Sequence, residues 1–386
     1  MRILVIHNRY RQRGGEDAVV ECESELLRKR GHDVELFEKT NEGVLGLRYA
    51  LNSIWSRTTR SEIKRVIARF NPQVAHIHNV FHAISPSVYG AINAYGIPIV
   101  QTLHNFRLFC IRGTFERAAG VCQRCAGHSH LQGVMLKCYR DSLPASALLA
   151  ANLQMHRVLR TFERNVSQFV ALNDFCKEKF VECGIPRDKI TVKPNFVDIQ
   201  DPEEGRGRAG GLYVGRMSAE KGVRVLAEAL MLAPSAFTAI GDGVEASALR
   251  SVNGVELVGF AERNHVIERM CGAAYLVMPS IWYETFGLVI IEAFACRLPV
   301  IASNIGAMAE LVEDGKTGLL FEAGSANDLA AKIKWAQYHP DEMRRMGNAA
   351  RARYERSFTS ATNYEMLMSL YENVIAQHGA RRTRMT

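Results

Sequence analysis

The chain has 386 residues, 47% of them apolar and 23% charged, with a formal net charge of +8. This is room for two domains of ordinary size and the composition of a soluble globular protein. No uninterrupted apolar run is long enough to span a bilayer, and the apolar core of MRILVIHNRYRQRGG is too short for a signal peptide, so the expected location is cytoplasmic.

In chain order, RILVIHN reads as a buried strand, followed by a turn at Gly14 and Gly15. Residues 17–30 form an amphipathic helix with Val19, Val20, Leu26 and Leu27 on its apolar side. Gly31 ends it, and DVELFE begins the next strand. Further strands are expected at 73–78, 98–103 and 169–172, with helices near 60–70, 85–95, 144–165 and 173–183. The stretch 199–211, IQDPEEGRGRAGG, is polar and glycine-rich and reads as a linker. Beyond it the pattern repeats, with strands at 212–216, 237–241, 255–259, 274–278 and 299–303 and two or three helices from about 325. Strands alternating with helices in both halves argue for α/β domains built on parallel sheets.

Charge is uneven along this order. Residues 1–195 hold 28 Lys+Arg and 17 Asp+Glu, a net of +11, whereas the remainder holds 20 and 23, a net of −3. A basic first half points to an anionic partner, with a solvated basic surface as the plainer alternative. The tail Arg381–Arg384 would add attraction to an anionic membrane face, or be disordered.

The segment 106–142 is an insertion with Cys110, Cys122, Cys125 and Cys138. Nine cysteines in a cytosolic chain argue against disulfides. The C-x2-C pair and its two flanking cysteines carry the ligand types of a structural zinc site, with His128 and His130 as competing ligands. Free thiols in a flexible loop are the alternative.

The second half holds the sharper signals. Arg216 and Lys221 flank a helix start after a strand that ends in Gly215, and two cations beside free N–H groups make an anion site. Gly241-Asp242-Gly243-Val244-Glu245-Ala246 fits the G-x-G-x-x-A dinucleotide fingerprint, but after the second strand of its domain rather than the first. Glu284 lies in a turn after an apolar strand, and Glu292 stands eight positions on, upon the following helix. Both can face one crevice at the carboxyl end of the sheet, where each carboxylate accepts from two hydroxyls. Between them Phe286, Gly287 and Leu288 offer backbone N–H groups to phosphate. Hydroxyls and a diphosphate together describe a nucleotide sugar.

These strings, WYETFGLVIIEAFACRLPVIAS with its Glu-x7-Glu spacing, GRMSAEKG, GGED, TLHNF, KPNFVD and AELVEDGKTGLLF, resemble the retaining glycosyltransferases of family 4, in that family's order and over residues 1–375. The resemblance implies the GT-B fold, two Rossmann-like domains facing across a cleft. It places an acceptor-binding domain at 1–198 and a nucleotide-sugar-binding domain at 212–360, with a last helix from 361 crossing back to the first domain. It implies that Glu284, Arg216, Lys221 and His104 serve catalysis. Gly14, Gly15, Gly215, Gly241, Gly243, Phe286, Gly287, Leu288 and Glu292 would then line the donor. His104 would lie beside the donor sugar, with His76, His78 and Asn79 as weaker candidates. The family often has Gly-Gly-Ala-Glu-Arg where this chain has Gly-Gly-Glu-Asp, which leaves the acceptor contacts open. The implied donor is a UDP- or GDP-sugar. The acceptor is a glycan or a lipid-linked sugar, and the membrane contact would be peripheral. No Asp-x-Asp motif is present, so donor binding is expected to need no divalent cation, and no nucleic-acid partner is expected. A sugar-nucleotide epimerase on the same fold and a zinc-containing nucleic-acid binder are the competing readings.

Overall fold

The computed structural model describes residues 1–10, 14–41, 52–117, 120–201 and 207–383. The side chains of the basic tail and linker residues 202–206 lie outside these. Contacts divide the chain into two units. Met1–Gly113, Gln123–Lys193 and Asn363–Thr386 form the first; Thr114–Cys122 and Pro194–Thr362 form the second.

The first unit is built on strands β1 (Arg2–Arg9), β2 (Asp33–Thr40), β3 (Val74–Ile77) and β4 (Ile99–Thr102). Next in the chain, within the segment Thr114–Cys122 that belongs to the second unit, is a two-stranded antiparallel hairpin, β5 (Glu116–Arg117) with β6 (Gly120–Val121). Strands β7 (Gln168–Ala171) and β8 (Ile190–Val192) complete the main sheet, whose parallel order is β2-β1-β3-β4-β7-β8. The central strands are apolar on both faces, as a sheet covered by helices requires. Ile3, Val5, Val74, Val100 and Val170 from the sheet pack with Leu367, Leu370, Tyr371 and Val374 of the last helix, Ser360–Thr383.

The second unit holds β9 (Gly211–Val214), β10 (Phe237–Ile240), β11 (Val255–Gly259), β12 (Tyr275–Met278), β13 (Val300–Ser303) and β14 (Gly318–Phe321). Its order is β11-β10-β9-β12-β13-β14, all parallel. Chain direction across the sheet reverses between β9 and β12, and in the first sheet between β1 and β3. In open α/β sheets ligands bind at such points, beyond the carboxyl ends of the strands.

The structure differs from the sequence-based reading at several boundaries. Strands β8 (Ile190–Val192) and β14 (Gly318–Phe321) are present where the sequence reading placed none. The expected helix 144–165 is two, Leu143–Val158 and Thr161–Asn165, broken where Arg160 adopts a left-handed φ of 50°. The first helix begins at Gly15 rather than residue 17, because Gly14 is its N-cap and Asp17 reaches back to the Gly14 N–H at 2.8 Å. Among the described residues no helix is long and apolar enough to cross a membrane.

Candidate active site

In the second unit the reversal point gathers the ends of β9 and β12. After β9 the chain turns through Gly215, whose N–H bonds the Ile240 carbonyl at 3.0 Å. A single 3-10 turn, Ala219–Lys221, leads to Gly222 and the helix Val223–Leu232. Gly222 has a φ of 69°, and a Cβ there would lie 1.8 Å from the Pro279 carbonyl oxygen. Only glycine lets the β9 turn press this closely on the segment after β12. Ile281 N–H caps the contact by bonding the Glu220 carbonyl at 3.0 Å.

That packing delivers Lys221 to Glu284. Lys221 Nζ lies 2.6 Å from Glu284 Oε1, and the same oxygen accepts from Ser280 Oγ at 2.9 Å and Trp282 Nε1 at 2.9 Å. Burial pushes the Glu284 carboxyl up, but the Lys221 charge and these hydrogen bonds outweigh it, and the group titrates below its ordinary range. All three donors sit on Oε1, so Oε2 is the oxygen left to meet a ligand. Arg216 points outward, bonded to Glu220 at 2.9 Å with 64% of its side chain exposed, so its guanidinium is available to an incoming anion.

Glu292 lies on the helix Leu288–Ala295, whose N-cap Gly287 is left-handed at φ 86°. The N–H groups of Phe286, Gly287 and Leu288 have no acceptor among the described residues. With the helix dipole behind them they present partial positive charge next to Glu284. Burial raises the Glu292 carboxyl above its ordinary range, opposed by Arg263 at 3.3 Å.

Gly241 and Gly243 also have a packing reason to be glycine. Their Cβ atoms would lie 2.0 Å from the Gly215 carbonyl oxygen and 2.1 Å from that of Met217. The turn after β10 therefore braces the turn after β9. The helix that follows, Ala246–Arg250, has five residues, too few for the dipole that a dinucleotide fingerprint exploits, so the fingerprint is a packing feature here.

In the first unit His104 is buried beyond the end of β4, with Nε2 2.9 Å from His78 Nδ1. His78 and Asn79 follow β3, beside His7 and Asn8 of β1, and the Asn8 N–H bonds the Asn79 carbonyl at 3.0 Å. His7 Nε2 lies 2.7 Å from Asp17 Oδ1. Glu16 Oε2 accepts from Tyr10 Oη at 3.1 Å and Asn105 Nδ2 at 3.4 Å, whereas Oε1 is buried with no hydrogen-bond partner, 3.9 Å from His7 Nδ1. Burial pushes this carboxyl up to about 8, helped by the Asp17 charge. Gly14 and Gly15 thus open a helix whose first turn bears two nearly buried carboxylates.

The zinc expectation finds no assembled site. Among the described residues the metal-capable set with ligand atoms within 4.8 Å is Glu23, His76 and His78. Cys110, Cys125 and Cys138 share that unit but form no such group, and Cys122 falls in the other unit. Among the described residues no cysteine is in a disulfide, and Cys110 and Cys125 are buried. The insertion has buried apolar residues of its own, Ile111 and Phe115 each being 1% exposed.

The family described as Glycosyltransferase Family 4 matches residues 13–201, and that described as Glycosyl transferases group 1 matches residues 200–353. The chain belongs to this group of glycosyltransferases. Two parallel-sheet units of this kind make the fold GT-B. Glycogen synthase of Mycobacterium tuberculosis is 30% identical over 257 residues, 60% of each chain. Sulfoquinovosyl transferase SQD2 of Arabidopsis thaliana is 26% identical over 86% of this chain and 65% of its own length. The matched stretch therefore spans under two thirds of either relative. The structure of HepE from Anabaena in complex with UDP aligns with a TM-score of 0.68 at 18% identity, over 97% of this chain and 100% of that one.

Sequence reasoning missed Glu23 and Lys193, which meet at 2.9 Å, as well as Arg263, Ser280 and Trp282. The first two are 170 residues apart, so no local pattern links them. Ser280 and Trp282 flank Glu284 closely enough that their donor role was readable from the alternation Ser280-Trp282-Glu284.

Proposed function

We propose that the chain transfers a hexosyl group from a UDP- or GDP-sugar to a hydroxyl of a glycan or lipid-linked acceptor, with retention of anomeric configuration. The observation that carries this reading is the Lys221–Glu284 pair at the reversal point of the second sheet, beside outward-pointing Arg216 and the unpaired N–H groups of Phe286, Gly287 and Leu288. A carboxylate with one oxygen saturated and the other open suits sugar hydroxyls, and the surrounding cations and amides suit a diphosphate.

In this reading Arg216 and Lys221 neutralise the departing nucleoside diphosphate, and Glu284 orients the transferred sugar. Glu292 accepts from the ribose hydroxyls. Gly215 with the turns at Gly241 and Gly243 shapes the nucleotide floor. The positive charge needed at the leaving group comes from side chains, so donor binding is insensitive to divalent cations. His104 and the Gly14–Gly15 turn serve the sugar and acceptor side. The excess of Lys and Arg in residues 1–195 suits a phosphate-bearing lipid acceptor at an anionic membrane face. HepE, which shares the fold, has been crystallised with UDP-glucose, which favours a uridine donor as the first to try.

The test is thermal unfolding against UDP, GDP and their common sugar conjugates, with and without EDTA. A ligand that binds the folded state alone raises the midpoint by mass action. A shift with one nucleoside diphosphate and its sugars, unchanged by EDTA, is the expected result. No shift with any of them refutes the donor assignment, and donor conversion without an acceptor would identify an epimerase instead.

A further inference from the structure

The edge of the first sheet carries two groups of side chains that the transfer reading does not use. One is the buried network of Glu23, His76, His78 and Lys193, in which the Lys193 ammonium already stands 2.9 Å from the carboxylate. The other is built by the insertion 106–142. The parts of the insertion that form it, Arg107 and Tyr139 with Arg140, belong to the first unit.

Arg107 follows β4 and His104. Its backbone N–H donates to Asn105 Oδ1 at 2.9 Å, and Asn105 Nδ2 donates to Glu16 Oε2 at 3.4 Å, so it stands one side chain away from the first turn of the helix Gly15–Lys29. Its guanidinium is half-buried and fixed from behind. It donates to the Ile111 carbonyl and lies against Gly113, where a Cβ would come within 2.9 Å of its Cζ. Arg140 is exposed and left-handed at φ 55°, between Lys137 at 50° and Asp141 at 51°. Residues with a Cβ seldom adopt this conformation, and a run of them marks a path imposed by the surroundings.

Both guanidiniums stand against one ring. Arg107 Cζ is 5.6 Å and Arg140 Cζ 5.2 Å from the Tyr139 centroid. Among the described residues neither makes an ion pair with a carboxylate. The Tyr139 N–H is held by Ser146 Oγ at 2.9 Å, and the Tyr139 hydroxyl lies 2.8 Å from Nε2 of His82, which follows β3. Burial and the charges of Arg107 and Arg140 push His82 down to about 4, so it is neutral near pH 7. A neutral imidazole and a phenol bring two polar hydrogens to that contact and spend one. If Tyr139 donates, His82 keeps an Nδ1–H; if His82 donates, the Tyr139 O–H is left over.

Two cations without a counter-charge, with a spare donor beside them, describe a seat for an anion. A carboxylate has two oxygens in one plane and is matched by a single guanidinium. Donors that arrive from the ends of β3 and β4 and from the far end of the insertion suit a tetrahedral oxyanion, whose oxygens point in several directions. We propose that the insertion gives this chain a phosphate subsite, formed by Arg107 and Arg140 with Tyr139 and His82, and that the acceptor carries the phosphate. The second half of this rests on the transfer reading; the first does not. A soluble sugar phosphate and a lipid-linked one present the same chemistry to the seat.

The experiment is proton–nitrogen correlation spectroscopy of the full chain labelled with ¹⁵N-histidine, at pH 7, with the His82 signals identified by their loss in His82→Gln. Sulfate stands in for the phosphate, against chloride at equal ionic strength. The His82 signals should move saturably with sulfate and not with chloride. In Arg107→Gln/Arg140→Gln the half-saturating sulfate concentration should rise by roughly tenfold or more. Arg140→Gln alone, at an exposed side chain, should weaken sulfate in the same direction whether or not the double variant folds. An indifferent His82, or equal sulfate affinity in the variants, overturns the subsite. Glycerol phosphate in the same titration, and co-sedimentation with phosphatidylcholine vesicles with and without phosphatidic acid, separate the two sources. A response to either that the variants lose supports the proposal and names the source. Sulfate binding with no response to either marks an adventitious ion only and overturns it. The nucleotide-induced thermal shift reads the second unit and should be the same in wild type and variants. Its absence from both, with the sulfate and phosphate responses intact, refutes the transfer reading and leaves the phosphate subsite standing.

Discussion

Replacing Lys221 by methionine tests the centre of the proposed site. The substitution keeps the aliphatic stem and removes the ammonium that sits 2.6 Å from Glu284 Oε1. Glu284 retains Ser280 and Trp282 as neutral donors, but its side chain is 10% exposed and now lacks a counter-charge. Breaking a buried pair in this way costs about 3–5 kcal/mol, and the low end applies because Lys221 keeps 21% of its side chain exposed. The sign of the pH dependence follows from the depressed carboxyl. In the wild type, Glu284 contributes stability above its ordinary value of 4.5 that is lost as pH falls through its lower folded value. In Lys221→Met burial acts with less opposition, the folded carboxyl moves up, and the deficit shrinks on acidification. Urea unfolding at pH 7 and near pH 4 measures both points. The Lys221→Met/Glu284→Gln double variant removes both charges and should regain much of the stability at pH 7. Transfer should fall by about 10²–10³ in kcat in both variants, since a preorganised charge at the leaving group is lost in each. Equal stability of Lys221→Met and wild type at pH 7 would refute the coupling, and unchanged kcat would refute the site.

Other substitutions probe its surroundings. Glu16 is raised to about 8 in the fold against an ordinary 4.5, so the folded state holds an extra proton between these values and loses stability as pH rises through them. Glu16→Gln should therefore raise the melting temperature relative to wild type at pH 8 and converge with it near pH 4; a constant difference across that range would contradict the shift. Gly222→Ala drives a Cβ to 1.8 Å from the Pro279 carbonyl at a φ of 69°. It should cost at least about 3 kcal/mol by chemical denaturation. Gly31→Ala, at φ 83° with nothing within 4 Å, should cost about 1–2 kcal/mol. Glu292→Ala should weaken the nucleotide-induced thermal shift while leaving the unliganded melting temperature nearly unchanged or higher, because a buried carboxyl with a raised titration point is removed; a full shift with nucleotide would exclude Glu292 from the ribose.

The parts legible in the sequence are those in which local chemistry and fold coincide. Apolar runs such as Tyr275–Met278 are strands because their side chains are buried on both faces, and glycines follow them where the chain must turn sharply. Glu284 and Glu292 were legible as candidates because both lie on one strand–loop–helix unit, running from β12 through the helix Leu288–Ala295. Lys221 needed the tertiary contact through Gly222 and Pro279 to reach Glu284, 63 residues away. The Glu23 network was not legible at all. Its members come from the first helix, the ends of β3 and β4, the segment after β8 and the last helix, and Tyr371 lies 295 residues from His76. The cysteines misled for the opposite reason, since their spacing imitates a local ligand set that the folded insertion does not assemble.

Charge shows the same limit in another form. The first half carries a net of +11 and the second a net of −3, yet the arrangement suited to a diphosphate lies in the second. Charge sums describe the surface as seen from a Debye length away, where steering toward a membrane or an anionic acceptor is decided. Binding a leaving group is decided within a few ångströms, by where cations and N–H groups are held. At the edge of the first sheet the buried charges cancel locally, Lys193 against Glu23. At the edge of the second, Arg216 stays exposed and three amides are unpaired. Removing acidic residues from the outer surface of the second unit should therefore alter nucleotide affinity far less than removing Arg216 alone. Measuring the nucleotide-induced thermal shift in Glu268→Gln, at an exposed side chain, and in Arg216→Ala sets the two against each other. A larger effect from Glu268→Gln would mean that net charge, rather than the geometry at the end of β9, governs the site.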